Sequence, residues 1–213
     1  MVIIADWGNS RVQVFARNNV WVGRYGNGFV FREPDQMALD SAGNVYITEA
    51  LNYRVLKFNA NGNNTRVFGT GIQGSGNTQL NQPSAVAVDL QGNVYVADSG
   101  NHRVQKFDSD GGYLQTFGTG YGTAPRQLRG PAGCAVASNG DVFVADFSND
   151  RVQQFTPSGD VVRIFTEAPV SGEPDLKLIG PLALAVDTQD NLFVGDEDLQ
   201  AVVHFKLNAP APS

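Results

Sequence analysis

Five stretches of this chain are copies of one another. Residues 5–15 (ADWGNSRVQVF), 48–58 (TEALNYRVLKF), 97–107 (ADSGNHRVQKF) and 145–155 (ADFSNDRVQQF) align without gaps, and 195–205 (GDEDLQAVVHF) is a decayed fifth copy. A second block precedes the last four. Each of these blocks opens on a proline, Pro34, Pro83, Pro131 or Pro181, and the prolines stand 49, 48 and 50 residues apart. A chain repeating at this interval builds one supersecondary unit several times and stacks the copies.

The third unit shows what is stacked. AVAVD (85–89) is short and made of small apolar residues, as a strand crowded around an axis requires. LQGN (90–93) reads as a hairpin turn, and VYVAD (94–98) is β-branched. RVQKF (103–107) alternates apolar with polar, SDGG (109–112) turns again, and YLQTFG (113–118) is a fourth strand. A connection of about thirteen residues leads to the next proline. One such sheet cannot bury both of its faces, so neighbouring sheets must pack face to face around an axis. The 24 glycines and 10 prolines among many Val, Phe and Tyr agree with short strands joined by turns. A period near 48 fits a four-stranded propeller blade and is too long for a leucine-rich or ankyrin unit.

GNVYVADSGNHRVQKFDSDG (92–111) resembles an NHL repeat, the blade unit of NHL-type β-propellers, and the resemblance runs from Val2 to about Phe205. The expected fold is all-β, an NHL-type β-propeller of four-stranded antiparallel blades. The expected propeller spans 1–207, with blades at 1–33, 34–82, 83–130, 131–180 and 181–207. The Pro/Ala segment 208–213 is expected to be a linker or frayed end. The first unit begins directly on VIIAD and lacks an innermost strand; the last ends after AVVHF and lacks an outermost one. NHL propellers usually have six blades, so the resemblance implies an open arc of about five, a partial six-bladed propeller, with a strained five-bladed closure as the alternative. Open blade edges would permit self-association.

Asp6 and Arg11, Glu49 and Arg54, Asp98 and Arg103, and Asp146 and Arg151 are each five apart and bracket the loop between the second and third strands. Once per blade, such a pair is expected to be scaffolding. The fifth copy keeps Asp196 but has Ala201 in place of the arginine. A repeat fixes its skeleton and diversifies what faces solvent. The variable loop positions Trp7, Ser10, Tyr53, His102, Phe147 and Asp150 are therefore candidate contacts. In NHL-type propellers these loops share a face with the connections between blades, which here contribute Tyr121, Arg126 and Arg129. Trp7 and Phe147 could instead fill space between blades.

Several motifs carry less than they suggest. GTGIQG (69–74) matches a dinucleotide fingerprint, but no helical periodicity follows it. DSDGG (108–112) has no Glu at the twelfth position of a calcium loop. Cys134, the single cysteine, lies in an apolar context and reads as a buried thiol; it excludes an internal disulfide. Related propellers include amidating lyases and lactonases with metal ligands around the channel. The former use several histidines, and this chain has only His102 and His204. The latter need acids at the inner strands, whereas Asp40, Asp89 and Asp187 sit at the hairpin ends of those strands and Ala137 replaces the fourth. Turn capping is the expected role of those acids; no catalytic residue, metal ligand or cofactor is assigned. A net charge of −6 disfavours nucleic acid. No apolar run is long enough to cross a bilayer and no signal peptide opens the chain, so a soluble, by default cytoplasmic protein is expected. The expected function is a non-catalytic scaffold that binds a protein or peptide through the loop face. The alternatives are single-stranded RNA binding, as in tripartite-motif NHL domains, and a metal-dependent lyase or lactonase.

Overall fold

The computed structural model describes residues 1–26, 30–168 and 176–207, and segment 208–213 lies outside the described residues. It is an all-β chain of five antiparallel blade sheets and one two-stranded hairpin. The first sheet has three strands: β1 (Val2–Asp6), β2 (Arg11–Phe15) and β3 (Trp21–Arg24). The second has β4 (Pro34–Leu39), β5 (Val45–Glu49), β6 (Arg54–Phe58) and β7 (Asn64–Phe68). The third has β8 (Pro83–Val88), β9 (Val94–Asp98), β10 (Arg103–Phe107) and β11 (Tyr113–Phe117). The fourth has β12 (Pro131–Val136), β13 (Val142–Asp146), β14 (Arg151–Phe155) and β15 (Val161–Phe165). A two-stranded hairpin, β16 (Glu167–Ala168) and β17 (Leu176–Lys177), precedes the last sheet of β18 (Pro181–Val186), β19 (Leu192–Asp196) and β20 (Ala201–Phe205). Among the described residues the blade sheets thus run three, four, four, four, three, the first without an inner strand and the last without an outer one.

Four apolar clusters hold the blades together, each spanning one junction between neighbours. The second strands of the middle blades lie between two sheets, so β5, β9 and β13 are buried along their whole length. They accordingly read as near-continuous apolar runs. Every junction contains the same edge-to-face ring pair. Tyr25, Phe68, Phe117 and Phe165, at or just beyond the end of an outer strand, meet Phe58, Phe107, Phe155 and Phe205 of the next blade at 5.7, 6.1, 6.0 and 4.9 Å between centroids.

The inner strands β4, β8, β12 and β18 pack side by side in sequence, and β1 touches β4. Among the described residues no cluster joins the fifth blade back to the first. The outward faces accordingly remain open: Val2 and Ile4 are 47% and 44% exposed, and Val202 is 72% exposed. The two β12–β18 backbones approach so closely that a Cβ added at Gly133 would lie 2.5 Å from the Leu182 carbonyl oxygen.

The β16–β17 hairpin has no counterpart in the sequence reading. Its strands are two residues long, with the pairs Glu167↔Lys177 and Ala168↔Leu176, too short to generate a period-2 signal.

Candidate binding face

In the first four blades the loop between the second and third strands is one 3-10 turn, Trp7–Asn9, Ala50–Asn52, Ser99–Asn101 or Phe147–Asn149, and in the fifth it is a hydrogen-bonded turn over 197–200. The residue that follows adopts a left-handed conformation, with φ of 50° at Ser10, 51° at Tyr53, 55° at His102, 51° at Asp150 and 50° at Gln200. Its N–H closes the turn onto the carbonyl three residues back. The reversal brings the arginine that opens the third strand opposite the acid that ends the second.

The pairs are Arg11 Nε to Asp6 at 2.6 Å, Arg54 to Glu49 at 2.6 Å, Arg103 to Asp98 at 2.7 Å and Arg151 to Asp146 at 2.7 Å. Asp98 also accepts from Asn101 Nδ2 at 2.8 Å and Gln105 Nε2 at 3.2 Å. Arg103 spends its remaining N–H groups on the connection from the previous blade, donating to the carbonyls of Ser75, Gly76 and Gln79 at 2.8, 2.9 and 3.0 Å. Asn101 donates to Gly74 O, and Asn81 N–H returns to Asp98 Oδ1 at 2.6 Å. Blade four repeats this latch: Arg151 holds the carbonyls of Thr123, Ala124 and Gln127, and Arg129 N–H donates to Asp146 at 2.7 Å.

The connection adds an apolar plug. The third residue before each proline, Phe31, Leu80, Leu128 or Leu178, is buried at 0–2% exposure. The next N–H, of Arg32, Asn81, Arg129 or Ile179, donates to the acid of the following blade. Plug and N–H recur at a fixed offset from the prolines, a signal present in the sequence that the pairwise spacing did not expose. The backbone carbonyls held by the arginines leave no trace in the sequence.

The candidate contacts fall into different settings. His102, Tyr121 and Arg129 form one cluster where blades three and four meet. The rings of His102 and Tyr121 stand edge to face at 5.0 Å, and the Arg129 guanidinium lies 5.6 Å from the Tyr121 centroid. His102 Nδ1 accepts from Gly130 N–H at 3.1 Å, which fixes the ring, and Nε2 has no hydrogen-bond partner among the described residues. Tyr121 is 60% exposed. Arg126 is not part of this group: its guanidinium pairs with Asp160 at 3.2 Å, in the hairpin between β14 and β15. Phe147 is half-buried beside Gly180, whose added Cβ would stand 3.5 Å from Phe147 Cε2. Trp7 is 57% exposed, Ser10 and Asp150 are exposed, and Tyr53 is half-buried.

On the opposite side, Asp40, Asp89 and Asp187 each accept the N–H groups two and four residues on, and so cap their own hairpins. In blade four, where Ala137 stands instead, Ser138 is bonded by Asp190 of blade five through its N–H and hydroxyl.

A family model of the NHL repeat matches residues 80–107 and 128–155. The chain carries NHL repeats. Each match begins on a buried plug leucine and ends on the phenylalanine closing the third strand. The NHL unit here is therefore the latched plug and the three strands that follow it. Solved structures share the propeller fold. A catalytically inactive virginiamycin B lyase from Staphylococcus aureus, with quinupristin, superposes with a TM-score of 0.69 at 12% identity over 97% of this chain and 63% of that one. The chain thus spans less than two thirds of that enzyme's length. A protein of unknown function from Bacteroides caccae gives 0.65 at 15% identity, over 97% of this chain and 69% of that one. Kuenenia stuttgartiensis hydrazine synthase gives 0.56 at 17% identity, over 80% and 45%. No curated protein matches the sequence. Among the described residues, no helix is long and apolar enough to cross a membrane.

Proposed function

We propose that this chain is a non-catalytic interaction scaffold whose NHL propeller binds a protein or peptide through the loop face, centred on His102, Tyr121 and Arg129. The observation that carries the reading is the division of labour among the loop residues. In blades three and four the recurring acid, Asn, Arg and Gln are occupied with holding the connections. The variable Tyr121 and its partner Arg129 remain exposed, beside the half-buried ring of His102. An aromatic ring carrying a guanidinium over it is the kind of anchor that protein interfaces favour.

Single-stranded RNA fits less well, because Arg126 is already paired with Asp160 and the chain carries a net charge of −6. A lyase reading lacks a histidine pair. His102 is in blade three and accepts from Gly130, and His204 is in blade five, stacked on Phe193 at 4.5 Å.

The test is selection of a random peptide library on the immobilised chain, followed by titration of the enriched peptides and of poly(U) RNA. Peptides whose binding weakens at least about tenfold with Tyr121→Ala or Arg129→Ala support the proposal. Enriched peptides indifferent to both changes, or poly(U) binding tighter than any peptide, overturn it.

A further inference from the structure

The loop face has a polarity of its own at the junction between blades three and four, where Gly130 forms the floor. This residue precedes Pro131 in a left-handed conformation, with φ of 60°, and the equivalent positions before Pro34 and Pro83 are Glu33 and Gln82, at 51° and 49°. Those junctions carry a long side chain at this point; this one carries none. A Cβ added at Gly130 would stand 3.5 Å from Ser148 Oγ and 3.9 Å from Ser99 Oγ, so a hydroxyl approaches the floor from each flanking blade. Neither hydroxyl has a hydrogen-bond partner among the described residues. At the next junction the corresponding loop residues set a ring and a carboxylate, Phe147 and Asp198, beside Gly180.

The charge at this place is also unspent. Arg129 uses its backbone N–H on Asp146, and its guanidinium stands over Tyr121, but no carboxylate pairs with it among the described residues. The acids of the two flanking loops are already satisfied. Asp98 and Asp146 are fully buried, and each accepts from an arginine, an asparagine and a glutamine of its own blade. Arg126 is neutralised by Asp160. In a chain of net charge −6, this junction therefore presents an uncompensated cation beside two idle hydroxyl donors.

We infer that this junction is a carboxylate-binding site: the partner presents a glutamate or aspartate side chain to Arg129, Ser99 and Ser148, while a neighbouring residue of the partner packs on Tyr121. The inference rests on the loop-face reading and names the residue type that the partner must supply. A guanidinium and hydroxyls are donors that a carboxylate takes in charge-assisted hydrogen bonds. The glycine floor lets the acid reach hydroxyls that a side chain at position 130 would screen. Charge balance selects a carboxylate over a phosphate. One guanidinium matches a singly charged carboxylate, whereas a phosphoserine brings about −1.5 to −2 toward a chain that is already acidic. By the same balance, a single unpaired arginine is too little to hold a nucleic-acid backbone.

The test pans random peptide libraries, with the central residue fixed as Glu, Gln or phosphoserine, on the immobilised intact chain and compares the amounts captured. The Glu library should be captured at least about tenfold more than the Gln library. Arg129→Gln should bring the two within about twofold of each other, and Ser99→Ala combined with Ser148→Ala should lower the preference at least about threefold. Arg126→Gln removes an equal charge from the arginine that is already paired and should leave the preference intact. Circular dichroism of each variant confirms that the blades still fold. The inference is overturned by a Glu preference that survives Arg129→Gln or the double serine change, by a preference that Arg126→Gln abolishes as well, or by stronger capture of the phosphoserine library. Equal capture of the Glu and Gln libraries also overturns it. If that capture still falls with Tyr121→Ala, the loop-face reading stands without the carboxylate site. Capture of none of the libraries overturns both.

Discussion

At the scale of single residues, the tightest constraints sit where backbones meet. The carbonyl of Leu182 would face a Cβ at Gly133 across 2.5 Å, and that atom belongs to a strand that cannot swing away. Gly133→Ala should therefore push β12 from β18 and lower stability by about 1–3 kcal/mol in urea denaturation. Gly23→Ala, with no atom within 4 Å of the new methyl, should leave the midpoint nearly unchanged. The left-handed residue before the latch arginine shows the limit of reading residues from sequence. Glycine normally marks such a conformation, but here Ser, Tyr, His, Asp and Gln occupy it, so the variable position announced its exposure and hid its backbone.

At the scale of elements, the graded burial of the latch predicts graded energetics. Arg151 and Asp146 are 9% and 0% exposed, whereas Arg11 and Asp6 are 50% and 20% exposed. Arg151→Ala removes the cation from a buried carboxylate and the donor from the Thr123 and Ala124 carbonyls, and should cost about 3 kcal/mol or more. Arg11→Ala should cost under about 1 kcal/mol. Comparison of the two denaturation midpoints checks the difference, and equal losses would contradict the link between the burial of a pair and its contribution. The strands themselves were legible because five copies repeat one alternation. The hairpin β16–β17 was not, since two-residue strands inside a connection have no pattern to repeat. Within the latch, the acid and arginine could be paired from their spacing of five. Their carbonyl partners could not, because a backbone group is the same in every residue.

For the whole molecule, four junctions join the five blades among the described residues, so stability is a chain of nearest-neighbour interactions. Hydrogen exchange should be slowest in β5, β6, β9, β10, β13 and β14, whose blades have neighbours on both sides, and fastest in β1–β3 and β18–β20. Uniform protection across all five blades would show that the ends are supported in solution. The repeat period and the incomplete first and last units displayed this architecture in the sequence. The location of the exposed faces became visible only with the pleat in place.

Cys134 lies in the junction between blades three and four, its thiol 3.6 Å from the Tyr95 carbonyl. Burial pushes that thiol up to about 12 from an ordinary 9.0, against a smaller opposing effect of the Ala97 and Ala87 backbone. A group raised on folding lends stability that is whole below pH 9 and drains away as pH climbs toward 12. Below that range the native sulfur stays protonated and enclosed, and a maleimide can reach it only when the central seam parts. As the lone thiol in the chain, it is a ready-made stopwatch. Its alkylation half-life, taken with and without a candidate ligand, times the breathing of the middle of the propeller with no label added.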